Sequence, residues 1–182
     1  MTSMTLTTTL LQVNELAISG DGVTIAPISF TLEAGQRLTL LGETGSGKSL
    51  IAQAIMGTLP AGLSAQGALE IAGKRFAAAE PATRHALWGR TLALLPQEPW
   101  HALDPTMPAQ AQVAETHRFV AGKTTPAANE AASVELSRLG LAQALNKLPG
   151  ELSGGMAQRV AFAAASAAGA PIVIADETTK GL

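Results

Sequence analysis

Apolar and polar positions alternate unevenly along the first third of the chain, and most of the predicted strands come from that alternation. Leu11 to Ile18 alternates in part and reads as a strand. Gly20-Asp21-Gly22 is a turn signal, and Val23 to Leu32, rich in Val, Ile, Phe and Thr, predicts one or two further strands. Ala34-Gly35 turns the chain again, and Arg37 to Leu41 reads as a buried strand. The spacing then becomes helical from Lys48 to Met56. Pro60-Ala61-Gly62 marks a loop, Ala68 to Ile71 a short strand closed by Gly73, and Thr91 to Leu95 a compact strand ending at Pro96-Gln97.

The pattern changes near Met107. From there to Leu145 the chain is rich in Ala, Gln, Glu and Leu and poor in strand formers, which predicts a helical insertion. Pro126 opens a helix, Ala127 to Leu139 continue it, and Gly140 caps it. Ala157 to Ala168 reads as another helix and Ile172 to Ala175 as another strand. The order is a β-rich start, a parallel α/β core, a helical insert and a return to the core sheet. The class is therefore α/β.

Composition narrows the function. At 182 residues the chain is about one domain. A net charge of -2 leaves no electrostatic footprint for nucleic acid, and the absence of cysteine excludes disulfide and thiol chemistry. The most hydrophobic stretch, Val160 to Ala175, is shorter than a membrane span and is broken by Gly169-Ala170-Pro171. Any membrane role is then expected to run through a partner. The Ser/Thr-rich start, residues 1–10, reads as a flexible tail without the basic and apolar blocks of a secretion signal.

Three motifs carry chemistry. Gly42-Glu43-Thr44-Gly45-Ser46-Gly47-Lys48-Ser49 fits G-x-x-x-x-G-K-[ST] between a predicted strand and a predicted helix. Backbone N–H groups of such a turn wrap a polyphosphate, and the helix dipole adds positive potential. Lys48 reaches the terminal phosphates and the Ser49 hydroxyl binds Mg²⁺. Second, Leu152-Ser153-Gly154-Gly155-Met156-Ala157-Gln158-Arg159 places two glycines and a hydroxyl before a helix, a further anion site. Third, Ile172-Val173-Ile174-Ala175-Asp176-Glu177 is an apolar strand ending in two acids. At the carboxyl edge of a sheet, Asp176 is expected to hold Mg²⁺ and Glu177 to act as general base toward water.

With these residues the chain resembles the nucleotide-binding subunit of ATP-binding cassette (ABC) transporters over residues 11–182, with the Q-loop and helical subdomain at about 98–158. The resemblance implies a phosphate-loop NTPase fold with an antiparallel β subdomain and a helical subdomain. It also implies ATP and Mg²⁺ as cofactors. By the same resemblance Gln97 is the Q-loop glutamine that touches Mg²⁺ and the attacking water. Ser153, Gly154 and Gly155 act on ATP held by a second ABC ATPase domain, in a homo- or heterodimer. Further implied partners are transmembrane permease subunits and a solute-binding protein, with the chain peripheral on the cytoplasmic face of the membrane.

Pro96-Gln97-Glu98-Pro99-Trp100-His101-Ala102-Leu103-Asp104-Pro105-Thr106-Met107 is similar to the P-Q-[DE]-P-x-x-[SA]-L-[ND]-P-x-M segment of the oligopeptide, dipeptide and nickel importers, and Met156 resembles the same branch. Trp100 is either a contact for the coupling helices of a membrane partner or plain core packing.

The chain also departs from the family. Thr178 stands where the family has proline. No aromatic lies near Ser19-Gly20-Asp21 to stack on adenine, so Val23 or Ile25 is expected to supply an apolar contact. The family's next aspartate, a further strand and a switch histidine have no counterpart before Leu182, and His85, His101 and His117 read as surface residues. The expectation is an incomplete domain, a fragment or half of a tandem protein, that turns ATP over poorly. Two alternatives stand beside the transporter reading: an ABC-type ATPase outside transport, and a nucleotide-binding module without turnover.

Overall fold

A computed structural model describes residues 8–176, which fall into two compact units divided between Thr91 and Leu92. The first unit carries strands β1 (Thr9–Gly20), β2 (Val23–Glu33), β3 (Ser64–Ile71) and β4 (Lys74–Ala77), and helix α1 (Lys48–Met56). The second carries β5 (Leu92–Leu95), helices α2 (Ala109–Glu115), α3 (Thr125–Arg138) and α4 (Gly154–Ser166), and β6 (Ile172–Ala175).

In the first unit the four strands form an antiparallel sheet in the order β2-β1-β3-β4. The partial alternation of β1 has a physical cause. Leu11 and Val13 face the core, and so do Leu16 and Ile18, although a strict period of two turns residue 16 outward. A bulge at Glu15, where φ is +49°, shifts the register between Val13 and Leu16 and restores the inward face. Ser29 on β2 satisfies the bulge: its Oγ accepts from the Glu15 N–H at 2.9 Å and donates to Glu15 Oε1 at 2.9 Å. Leu69 and Ile71 of β3 and Ile51, Ala54 and Ile55 of α1 complete the apolar interior. The β3–β4 hairpin lengthens the short strand expected at residues 68–71 and adds a strand that the sequence pattern did not announce.

One expectation fails in this unit. Residues 36–43 form no regular element, and Leu38, Leu40 and Leu41 are 43%, 37% and 90% exposed. A strand exists through its ladder partners, and among the described residues this run has none, so its apolar pattern alone does not make it a buried strand.

In the second unit β5 and β6 pair in parallel, Leu92 opposite Ile172 through Leu95 opposite Ala175. A parallel pair demands a long crossover, and here the helices supply it. Alanines at 109, 128, 132, 144, 157 and 163 let those helices approach closely around Val113, Leu136, Leu141 and Val160. Leu136 is fully buried. Leu136→Ala is expected to cost about 2–5 kcal/mol, read as a lower urea midpoint at unchanged slope. Helix α3 begins at Thr125 with Pro126 in its first turn and ends before Gly140 at φ +72°, as the sequence reading expects.

Helix α2 runs on into a π turn at Thr116–Val120. His117 on that turn is only 6% exposed, and its Nε2 lies 3.2 Å from Glu135 Oε2. This corrects the expectation of a surface residue: the wide turn rotates His117 onto α3. His85 and His101 are exposed.

Candidate functional site

Gly42 through Ser49 form one continuous loop and helix start. The Ser46 N–H donates to Glu43 O at 3.1 Å, which makes the turn. Gly45 and Gly47 sit at φ +85° and +90°, where a side chain is strained. A Cβ on Gly42 falls 2.6 Å from Ser46 Oγ, so a larger residue there would have to turn the Ser46 side chain aside. Gly47 is the N-cap of α1 and no side chain caps it, so the positive end of the helix dipole opens onto the loop. Lys48 Nζ donates to Gly42 O at 2.9 Å, to Glu43 O at 2.8 Å and, more weakly, to Ser46 Oγ at 3.4 Å. The loop is thereby closed on its own cation. Ile25 of β2 lies against Gly47, where a Cβ has no room beside its Cδ1.

A second cluster opens α4. Ser153 is the N-cap, its Oγ accepting from the Met156 N–H at 3.4 Å, so the helix starts three residues earlier than the sequence pattern suggested. Ser153, Gly154 and Gly155 are exposed, and a Cβ on either glycine meets nothing within 4 Å. Arg159 braces this end: its Nε donates to Gly155 O at 3.2 Å and its Nη1 to Leu139 O at 3.0 Å, at the C-terminus of α3. A cation on the last carbonyls of a helix is favourable.

The third cluster lies at the carboxyl ends of β5 and β6. Asp176 follows β6 directly, and its N–H donates to Leu95 O at 2.9 Å. Gln97 lies two residues past Leu95, so the parallel register brings Gln97 and Asp176 to the same sheet edge. Glu177 lies outside the described residues, as does the side chain of Trp100.

The sequence reading missed the residue that holds the segment after Gln97. Gln112 of α2 is buried; its Oε1 accepts from the Asp104 N–H at 2.9 Å and its Nε2 donates to Met107 O at 2.8 Å. The signal was there: an amide inside an apolar helical face needs internal partners. Asp104 in turn accepts from the Thr106 hydroxyl at 2.7 Å and the Thr106 N–H at 2.8 Å. These bonds, the hydroxyl first, hold its carboxyl below the usual range. The lowered value means that the turn's support is complete above the ordinary carboxylate range and is lost as pH falls through the folded value. Thr106→Ala is expected to raise the Asp104 titration toward its ordinary value, which NMR of the side-chain carboxyl measures.

The family model for ABC transporters matches residues 25–180, taking in all three clusters. The chain belongs to the ABC transporter family. It is 36% identical over 186 residues to the oligopeptide transport ATP-binding protein OppD of Bacillus subtilis, covering 96% of this chain and 52% of that protein. It is 34% identical over 177 residues to the dipeptide transport ATP-binding protein DppD of Lactococcus lactis, covering 94% and 51%. OppD of Mycobacterium tuberculosis is 34% identical over 184 residues, 95% of this chain and 30% of that one. This ABC chain thus spans about half, or less, of the length of the curated relatives it matches. Among its described residues no helix is long and apolar enough to cross a membrane.

Proposed function

We propose that the chain is an ATP-binding subunit of an ABC importer, binding Mg·ATP and coupling its hydrolysis to passage of a small solute such as a peptide or nickel. The observation that carries this is the glycine loop closed by Lys48 at the uncapped start of α1, in a chain of this family. Lys48 and the amides of residues 42–49 would bind the phosphates; Ser49 in the first unit and Asp176 and Gln97 in the second are the residues that the family resemblance assigns to the metal. The bound metal supplies charge neutralisation at the phosphates. Glu177 takes a proton from the attacking water. Ile25, beside Gly47, gives the adenine an apolar contact in place of an aromatic.

Ser153, Gly154 and Gly155 stand on an exposed helix start and so act on nucleotide carried by a second ABC domain. The chain sits peripherally on the cytoplasmic membrane face, with transmembrane permease subunits and a solute-binding protein as its further partners; the relatives' names as oligopeptide and dipeptide transport proteins support this choice. Equilibrium dialysis against Mg·ATP tests the reading, and the absence of saturable binding overturns it. A second reading, nucleotide binding without turnover, is favoured by the exposed run at residues 36–43 that feeds the loop and has no ladder partner among the described residues. Phosphate release measured beside affinity separates the two.

A further inference from the structure

We propose that Arg84 is a positioning residue for the phosphate loop, acting through the far end of α1. This inference rests on the nucleotide-binding role proposed above. Helix α1 has nine residues, so at 1.5 Å per residue its ends lie about 12 Å apart. Lys48 and Ser49 stand at one end. At the other end Arg84, 1% exposed, enters from the turn after β4.

Its Nη2 donates to Ala54 O of α1 at 3.0 Å and to Ala78 O at 3.2 Å, and its Nη1 to Ala77 O at 2.9 Å. One planar guanidinium therefore ties the last turn of α1 to the end of the β3–β4 hairpin. Trp88 adds a second tie, its Nε1 donating to Met56 O at 3.0 Å. Gly57, at φ +77°, ends the helix with its N–H on Ala54 O at 3.3 Å, and a Cβ there falls 2.6 Å from Pro81 O.

The chemistry of this clamp is unusual. A buried arginine normally meets a carboxylate. The hydrogen-bond partners of the Arg84 guanidinium described above are carbonyl oxygens, and one of them, Ala54 O, belongs to the negative end of the α1 dipole. Burial lowers the Arg84 pKa, yet a guanidinium stays charged in a protein. The cation is thus matched to one helix carbonyl and to carbonyls at the end of the hairpin, each with a direction fixed by its own backbone. A short helix moves as a rod, so the clamp at residues 54–57 sets both the axial position and the rotation of residues 47–49. Misplacement of a reactive group by about 1 Å costs up to about a hundredfold in rate, so a clamp of this kind bears on binding and turnover. Lysine keeps the charge but loses the fork that spans two elements.

The test compares the parent with Arg84→Lys, Arg84→Met and Trp88→Phe, at a temperature where far-ultraviolet circular dichroism shows each one folded. Two quantities are read: the amide resonances of Gly47, Lys48 and Ser49 without nucleotide, and the dissociation constant for Mg·ATP. The expected result is displaced resonances in both Arg84 variants, with Mg·ATP weakened about threefold in Arg84→Lys and about tenfold in Arg84→Met. Trp88→Phe is expected to weaken it about twofold.

A folded Arg84→Lys with parent resonances at 47–49 and parent affinity overturns the proposal. Should Arg84→Met fail to fold, Arg84→Lys decides alone. If the parent itself fails to bind Mg·ATP, the proposed function falls, while the ligand-free resonances still decide whether Arg84 positions the loop.

Discussion

Replacing Lys48 by alanine is expected to weaken Mg·ATP binding by about 10- to 100-fold, on the scale of one or two lost charge-assisted hydrogen bonds. The Lys48 ammonium rests on Gly42 O and Glu43 O, both within 2.9 Å. Those carbonyls hold the cation over the loop, where, on the proposed function, a phosphate would complete its coordination. Alanine is the best helix former and Lys48 is the first residue of α1, so the helix is expected to survive the change. Isothermal calorimetry gives the affinity and a melting curve checks the fold. A variant with parent affinity means that the loop is not a phosphate cradle, and the nucleotide reading goes with it.

The second large effect is expected at Gly155. Gly155→Asp is predicted to leave Mg·ATP affinity within about twofold of the parent while abolishing any nucleotide-dependent pairing with a second ABC domain. Gly155 is exposed, a Cβ there meets nothing within 4 Å, and its backbone lies outside the left-handed region. The aspartate falls in the first turn of α4, where a carboxylate favours the helix. The folded chain therefore tolerates the change. On the proposed function it would not tolerate a triphosphate from a neighbouring domain, because like charges at close range repel. Light scattering with and without Mg·ATP reads the pairing. Nucleotide-dependent pairing that persists in the variant rules out a phosphate-facing role for this helix start.

Much of this was legible in the residues because it depends on local chemistry. The loop at 42–49, the helix over Lys48–Met56 and the strand Ile172–Ala175 follow from glycine, capping and apolar runs that need no distant partner. What escaped the sequence depends on pairing across the chain. The run Arg37–Leu41 has the composition of a strand, yet the ladder that makes one is a property of its neighbours. β1 looked irregular because its apolar positions change parity at Glu15, and only the pairing with Ser29 shows that the irregularity is a bulge. His117 read as a surface residue because a π turn leaves no trace in hydrophobic periodicity. At the site, the three motifs could be read from the sequence, but the particular partners of Gln112, Arg159 and Arg84 could not. Their partners are backbone carbonyls and amides, which every sequence supplies equally.

The tip of the first hairpin carries one more consequence. Gly20, at φ +133°, and Gly62, at φ +88°, face each other so closely that a Cβ on Gly20 collides with the Gly62 carbonyl, and one on Gly62 collides with the Asp21 carboxylate. Gly62 is exposed, yet a substitution scan that ranks sites by solvent exposure will misjudge it. Alanine at Gly62 is strained by the positive φ and must swing the Asp21 carboxylate aside, while alanine at Gly20 meets backbone that cannot turn away, so this rim resists substitution from the surface of the protein.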